Sequence, residues 1–201
     1  LEVDKIKASG GHAVAVQADI SDEQNVARLF NNAIAEYGKV DLLVNNAGII
    51  FTKPIEQVST KKFDKMFNVN VKGVFNTLHQ ASTRLADNGS IINLSSTVTR
   101  TISPGYGPYY ATKGAVERLT RVFAKEIGSR GINCNAVTPG PTETDLFLEG
   151  KSQQDIDRLA ASNAFNRLGR PEDIARVIVY LASDASKWIS GQIIGANGAM
   201  A

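Results

Sequence analysis

Residues 90–114, SIINLSSTVTRTISPGYGPYYATKG, contain a serine, a tyrosine and a lysine whose types and spacing could do proton chemistry. Residues 90–94 are an apolar, β-rich run that predicts a buried parallel strand. Ser95 and Ser96 stand at its carboxyl end, where open α/β sheets place their ligands. A loop rich in Gly and Pro follows at 103–108, and from Tyr109 a helical pattern continues through Glu126. Tyr109 and Lys113 are four apart, so they project from one helix face. Tyr110 has no such partner, because Gly114 stands four residues on. The loop lets that face swing back over the strand end that carries Ser96, bringing a hydroxyl, a phenol and an ammonium to one small volume. A phenol with an unperturbed pKa near ~10 is a poor proton carrier at neutral pH. A nearby ammonium favours the phenolate and lowers that pKa, as general acid-base catalysis needs. The serine can then hydrogen-bond a substrate oxygen without adding charge. Taken alone, this Tyr-Lys spacing is also an ordinary start to an amphipathic helix. The strand-end serine, the parallel sheet and a second site-like segment upstream favour the chemical reading.

The elements that must hold these groups alternate between strand and helix, the pattern of a parallel α/β sheet. Leu1, Asp4, Lys5 and Ala8 have helical spacing, stopped by Ser9-Gly10-Gly11. Residues 12–17, HAVAVQ, alternate as a short strand that leads to Asp19 and Ile20. Ser21 is expected to cap the next helix, with Gln24 at the capping-box position and Gly38 at its end. Residues 40–44, VDLLV, read as a strand entering Asn45-Asn46-Ala47-Gly48, where small residues let the backbone approach a flat ligand. By itself that segment could be any turn. Ser59 caps a helix expected over 60–85, with Phe63, Phe67, Val71, Val74, Phe75 and Leu78 as its buried face. Asn70 lies in its middle among apolar neighbours and must have partners, either local backbone or groups of a site. Residues 131–137 are another interior strand, ending in a stiff turn with Pro139, Gly140 and Pro141. Over 141–168 the composition changes to that of a helical insertion at the sheet's carboxyl end. It is expected to cover a substrate, with Thr144, Phe147 and Phe165 as lining, or else to be a peripheral helical pair. Pro171 suits the first turn of the last long helix, and a final strand and turn occupy 190–198. His12 and His79 have no carboxylate or cysteine at metal spacing, so no metal site is expected.

Tyr109-x-x-x-Lys113, with Ser96 thirteen positions before the tyrosine, resembles the active-site signature of the short-chain dehydrogenase/reductase family, and the resemblance runs over residues 1–201. It implies one domain with a Rossmann-like, doubly wound parallel sheet in three layers. It also implies an oxidoreductase that moves a hydride between NADP or NAD, with NADP favoured, and an alcohol–carbonyl pair. The resemblance implies a reductase of a ketone, aldehyde or 3-oxoacyl substrate, and leaves the preferred direction open. The segments LFLEGKS, FNRLGRPEDIA and WISGQIIGANG resemble those of 3-oxoacyl-acyl-carrier-protein reductases and of aldehyde or sugar dehydrogenases. By this resemblance Ser96, not Ser95, is the catalytic serine, Tyr109 the proton carrier, and Lys113 the residue that holds the nicotinamide ribose and depresses the tyrosine pKa. Asn70, three before Gly73, becomes the fourth catalytic residue, anchoring a water that continues to the lysine. The implied cofactor contacts are Asp19 and Ile20 at the adenine, Asn46 with Ala47 and Gly48 along the cleft, and Pro139, Gly140, Thr142 and Thr144 towards the nicotinamide. Family members pair their long helices and their last strand across two-fold axes, so a homodimer or homotetramer is implied.

The family's fold opens with a strand, a Thr-Gly-x-x-x-Gly-x-Gly loop, a helix and a second strand, and this sequence shows none of these. Gly10-Gly11 lies between a helix and an expected strand, the reverse of the strand-to-helix order that points free amides at a phosphate. The resemblance therefore implies a sheet lacking its first two strands. HAVAVQ and VDLLV would then be separated by roughly 14 Å, at about 4.8 Å per strand spacing. Either residues precede Leu1 in the working protein, or the chain is inactive and poorly stable. The second case makes it a non-catalytic oligomeric or regulatory relative, which saturable cofactor binding would distinguish from an enzyme.

Composition narrows the classes further. At 201 residues the chain can bury a substantial core, and 43% hydrophobic with 17 glycines suits a soluble α/β protein. A net charge of +2, with no basic stripe interleaved with aromatics, argues against a nucleic-acid partner. No run reaches the roughly 18 apolar residues of a membrane span, so no membrane partner is expected. Cys134 is the only cysteine and sits in an apolar run, which suggests a reduced, buried residue and a cytoplasmic protein. The expected partner is a small carbonyl or alcohol substrate.

Overall fold

In the computed structural model, which describes residues 2–201, alternating strands and helices build one parallel sheet covered on both faces. The helix α1 (Glu2–Ala8) follows the spacing read from the sequence; Leu1, the first residue of that pattern, lies outside the described residues. The next helix, α2 (Glu23–Tyr37), is capped by Asp22, whose carboxylate accepts from the amides of Gln24 and Asn25. Ser21, the expected cap, instead donates its hydroxyl to Asp19 at 2.7 Å. Two cap-forming residues stand side by side, and the one next to the first helical residue reaches the free amides. Gly38 ends the helix at a φ of 81°, a conformation open to glycine without strain.

Residues 12–17 do not form the expected strand. They run irregularly, and no backbone hydrogen bond joins them to residues 40–44 among the described residues. Alternation supplies two faces, but a strand exists only when a neighbour satisfies its backbone, and among the described residues none pairs with this segment. The sheet comprises β1 (Leu42–Asn45), β2 (Ser90–Leu94), β3 (Asn133–Pro139) and β4 (Ile193–Ala196), in the order β1-β2-β3-β4 with every pair parallel. This is a Rossmann-like α/β arrangement, with β1 at one edge.

Between β1 and β2 the expected continuous helix is three pieces: α3 (Thr60–Phe67), a π-helical turn (Asn68–Lys72) and α4 (Gly73–Arg84). Ser59 caps α3, accepting from the Lys62 amide at 3.3 Å. The π turn inserts extra backbone per turn and rotates the face that follows it, so the buried set shifts. Met66, Asn70, Gly73, Val74, Asn76, Thr77, Leu78 and Ala81 are buried, while Phe75 of the expected face, beyond the turn, is 53% exposed; Phe63, before the turn, is 38% exposed and stacks on Phe67. Then come α5 (Gly107–Ile127), the short α6 (Asp145–Leu148), α7 (Gln153–Ala160) and α8 (Pro171–Ala182).

The strands alternate between two cores. Ile91 and Cys134 face α2, α4 and α5, packing with Val26, Phe30, Leu78 and Val116. Ile92 and Val137 face the other way, against Ile174 and Leu181 of α8. Helices bury β2 and β3 on both faces, and the carboxyl ends of β1, β2 and β3 are where the chemistry-bearing residues collect. Ile91 has no exposed surface. Ile91→Ala should therefore cost about 2–5 kcal/mol of unfolding free energy. The measurement is the shift in the urea midpoint at unchanged slope, and a loss below about 1 kcal/mol would refute the close packing of this core.

Candidate active site

The strand β2 stops at Leu94, and its last carbonyl accepts a hydrogen bond from Lys113 Nζ at 2.7 Å. Ser95 and Ser96 then diverge. Ser95 turns inward and donates to Glu117 Oε1 at 2.9 Å. Ser96 caps a short 3-10 turn (Thr97–Arg100), accepting from the Val98 amide at 3.4 Å, and its hydroxyl also interacts with Tyr109. Pro108 lies in the first turn of α5, where its missing amide hydrogen costs nothing. Tyr109 follows at once, and Lys113 one turn later is 6% exposed, with its Nζ 5.7 Å from the centre of the Tyr109 ring.

Asn70 sits on the π turn and is 1% exposed. Its carboxamide brackets Ile49, accepting from the Ile49 amide and donating to the Ile49 carbonyl, both at 2.8 Å. The second amide hydrogen goes to Thr112 Oγ1 at 3.2 Å. Thr112 itself donates to the Tyr109 carbonyl at 2.8 Å, so one polar chain ties Asn70 to the turn between the tyrosine and the lysine. Gly48 closes the group. A β carbon there would lie 3.3 Å from Asn70 Oδ1 and 3.7 Å from Lys113 Nζ, so any side chain would crowd both polar atoms.

Electrostatics reverse one expectation. Tyr109 is not depressed by its lysine: burial pushes the phenol up to about 12, and the hydrogen bond with Ser96 offsets only part of that. Lys113 is pushed down to about 8 by burial. Both groups lose water, and the ammonium points at the Leu94 carbonyl instead of at the phenol oxygen, so desolvation outweighs attraction.

The remaining residues singled out from the sequence fall in two groups. Asn46 and Ala47 are exposed at the carboxyl end of β1, whereas Asn45 is buried and donates to Asn93 Oδ1 at 2.8 Å. Asp19 is exposed and held below the usual carboxylate range by hydrogen bonds from the Ser21 hydroxyl and amide. Ile20 rests on the bare backbone of Gly73, and its carbonyl accepts from Asn76 at 2.9 Å. Pro139 and Gly140 end β3, where Gly140 abuts the Asn197 main chain at 3.0 Å from the position of a β carbon. Thr142 donates to the Gly140 carbonyl at 2.9 Å, and the Thr144 hydroxyl caps α6 by accepting from Phe147. Phe147 is half-buried under the Lys151 ammonium, and Phe165 is 70% exposed beside Gly198. The structure thus gathers Ser96, Tyr109, Lys113, Asn70 and Gly48, while Thr144 and Phe165 are held within the insertion. Sequence reading missed Thr112, Asn76 and Glu117. Glu117 could have been found, for it repeats the four-residue spacing of Tyr109 and Lys113.

Comparison with known proteins assigns the family. The sequence family described as Enoyl-(Acyl carrier protein) reductase matches residues 1–200. A short-chain type dehydrogenase/reductase of Picea abies is 39% identical over 193 residues, covering 94% of this chain and 71% of that protein. The chain belongs to the short-chain dehydrogenase/reductase family. Another member, an NADPH-dependent aldehyde reductase-like chloroplastic protein of Arabidopsis thaliana, is 38% identical over 97% of this chain and 74% of its own. Among solved structures, a blue fluorescent protein from a metagenomic library in complex with NADPH superposes with a TM-score of 0.93. It is 32% identical and covers 99% of this chain and 80% of that one.

In this short-chain dehydrogenase/reductase the buried lysine carries a stability cost. Its folded pKa of about 8 lies below the unfolded value of 10.5, so between these pH values the unfolded chain binds more protons and stability rises with pH. Below about 8 the whole cost is present. Lys113→Met should therefore raise the thermal midpoint at pH 7, and its advantage over the parent should shrink as the pH goes from 8 towards 10.5. Tyr109 has the opposite sign above its ordinary value of 10.0 but acts in both proteins and cancels. Melting curves across this range are the check; an advantage independent of pH would contradict burial as the cause.

Proposed function

We propose that this chain is an NADP(H)-dependent reductase of small carbonyl compounds, with Tyr109 as the group that gives a proton to the carbonyl oxygen. A nicotinamide cofactor, when bound, supplies the hydride. The observation that carries the reading is the meeting of the Ser96 hydroxyl, the Tyr109 phenol and the buried Lys113 ammonium at the carboxyl end of β2. A phenol held neutral at working pH is a proton donor, and the Ser96 hydroxyl beside it can hold the same oxygen. Lys113 is the nearby cation that a ribose hydroxyl and the developing phenolate would share.

The residues fit the nicotinamide half of the cofactor. The bare backbone at Gly48 and the exposed Asn46 and Ala47 offer a flat approach at the end of β1. Pro139, Gly140, Thr142 and Thr144 line the route past β3, and Ile20, fixed by Asn76 and Gly73, with Asp19, held by Ser21, would meet the adenine. NADP is preferred over NAD because the Arabidopsis relative is named NADPH-dependent and the metagenomic structure holds NADPH. Asn70 has both amide hydrogens engaged but keeps acceptor capacity on Oδ1. That oxygen lies less than about 7 Å from Lys113 Nζ, a span that bridging waters can cross. We assign it the anchoring of a proton path to the lysine. Aldehydes, ketones and 3-oxoacyl thioesters are the substrate classes, and the insertion at 141–168 is their cover. The chain would act in the cytoplasm; among the described residues no helix is long and apolar enough to cross a membrane.

Tyr109→Phe should lower turnover of NADPH with an aldehyde panel by at least ~100-fold and leave NADPH affinity within a few-fold. Stopped-flow absorbance and nucleotide fluorescence are the measurements. A loss of only a few-fold in rate would remove Tyr109 from the chemistry, and absence of saturable nucleotide binding would favour a non-catalytic relative.

The same reading includes self-assembly. Phe75 and Val122 are more than half exposed on α4 and α5, and Val179 and Trp188 are exposed on and after α8. Two apolar surfaces on one chain suit a dimer or tetramer with closed symmetry. Sedimentation at micromolar concentration should give a species of two or four times 21.6 kDa, and a monomer would overturn it.

A further inference from the structure

The serine placed at the reacting oxygen is flanked by two hydroxyls that converge on one carboxylate. Ser95 Oγ lies 2.9 Å and Thr99 Oγ1 2.7 Å from the same oxygen, Glu117 Oε1. Ser95 precedes Ser96 directly, and Thr99 lies one short turn beyond it, with its hydroxyl also 3.0 Å from the Ser96 carbonyl. Each hydroxyl has a single hydrogen, and a carboxylate is a stronger acceptor than a carbonyl, so both hydrogens are drawn to Glu117. Glu117 is one helical turn beyond Lys113 and two beyond Tyr109, on the same face of α5. It is half-buried, and Ser95 Oγ also lies 3.4 Å from the Lys113 carbonyl.

We propose that Glu117 is a positioning residue that clamps the segment on both sides of Ser96 to the helix bearing Tyr109 and Lys113. The proposal rests on the reading of Ser96 and Tyr109 as the groups that act on the carbonyl oxygen. The Ser95 amide donates to the Val137 carbonyl at 2.8 Å and the Thr97 hydroxyl to the Thr138 carbonyl at 3.1 Å, so the Ser96 segment is tied to β3; these bonds hold it to the sheet and not to the helix that carries the phenol. The two hydrogen bonds to Glu117 tie it to that helix. A misplacement of about 1 Å at a reacting centre can cost on the order of a hundredfold in rate, so a residue that never touches substrate can still set turnover.

The test compares kcat and KM for NADPH-dependent aldehyde reduction in Glu117→Ala, Glu117→Gln and Ser96→Ala, singly and in the combination Ser96→Ala/Glu117→Ala. Glu117→Ala should lower kcat by about tenfold or more with KM for NADPH within about twofold. Glu117→Gln, which keeps an acceptor oxygen at the same place, should recover most of the rate with an unshifted pH profile. In the Ser96→Ala background, Glu117→Ala should cost no more than about twofold further, because two residues acting through one hydroxyl are not additive. Equal losses in both backgrounds, or a Glu117→Gln variant as slow as Glu117→Ala with a shifted pH profile, would overturn the clamp and leave a general stability or charge effect. If Glu117→Ala does not fold, Ser95→Ala/Thr99→Val removes the two donors instead and must show the same loss of kcat; full activity in that variant would also overturn it. A Ser96→Ala single variant with parental activity would show that the reading of the site itself has failed. A slow Ser96→Ala beside a fast Glu117→Ala would sink only the clamp.

Discussion

The hydrogen bond from the Lys113 ammonium to the Leu94 carbonyl is the contact on which the site depends. It joins the longest helix to the last residue of a strand that is buried along its whole length. With that bond in place the first turn of α5 lies over the end of β2, and Tyr109 comes to Ser96. The same ammonium and the Asn70 carboxamide both approach Gly48. Burying a charge costs stability unless it is paired, and here a single carbonyl within hydrogen-bond distance must offset the loss of water. The lowered pKa of Lys113 records how incomplete that compensation is. The proposed role of Lys113 beside Tyr109 would account for keeping such a cost.

A second polar thread runs through the core behind the site. Asn45 donates to Asn93, which donates in turn to Thr120, and Thr120 bonds the Val116 carbonyl on α5. The two asparagines face each other in the β1–β2 register. Buried amides left unpaired would be expensive, so this chain makes any other register or helix position costly. It fixes the end of β1, and with it the exposed Asn46, relative to the helix that carries the tyrosine. The π turn has a comparable effect on the other side: it aims Asn70 at Ile49 and Thr112, and leaves Gly73 to receive Ile20.

Spacing and composition alone determined much of this. The strand β2, the serine at its end, the Tyr109–Lys113 face and the order of strands and helices were legible because periodicity and backbone chemistry are local properties of a chain. Tertiary structure decided the rest. HAVAVQ has the alternation of a strand but no pairing neighbour among the described residues, and pairing is not encoded in the segment itself. Phe75 fits a buried helical stripe until the π turn rotates it, and no periodicity announces such a turn. Asp22 displaced Ser21 as a cap through reach, not residue type. The direction of the Tyr109 pKa depended on where the lysine points and how much water both groups lose. Glu117 stood in plain sight four residues after Lys113, yet its partners Ser95 and Thr99 are some twenty residues away in sequence. Which residues can do chemistry is written in their types and spacing; which of them meet, and in what dielectric, is set only when long-range packing closes the sheet and helices around them.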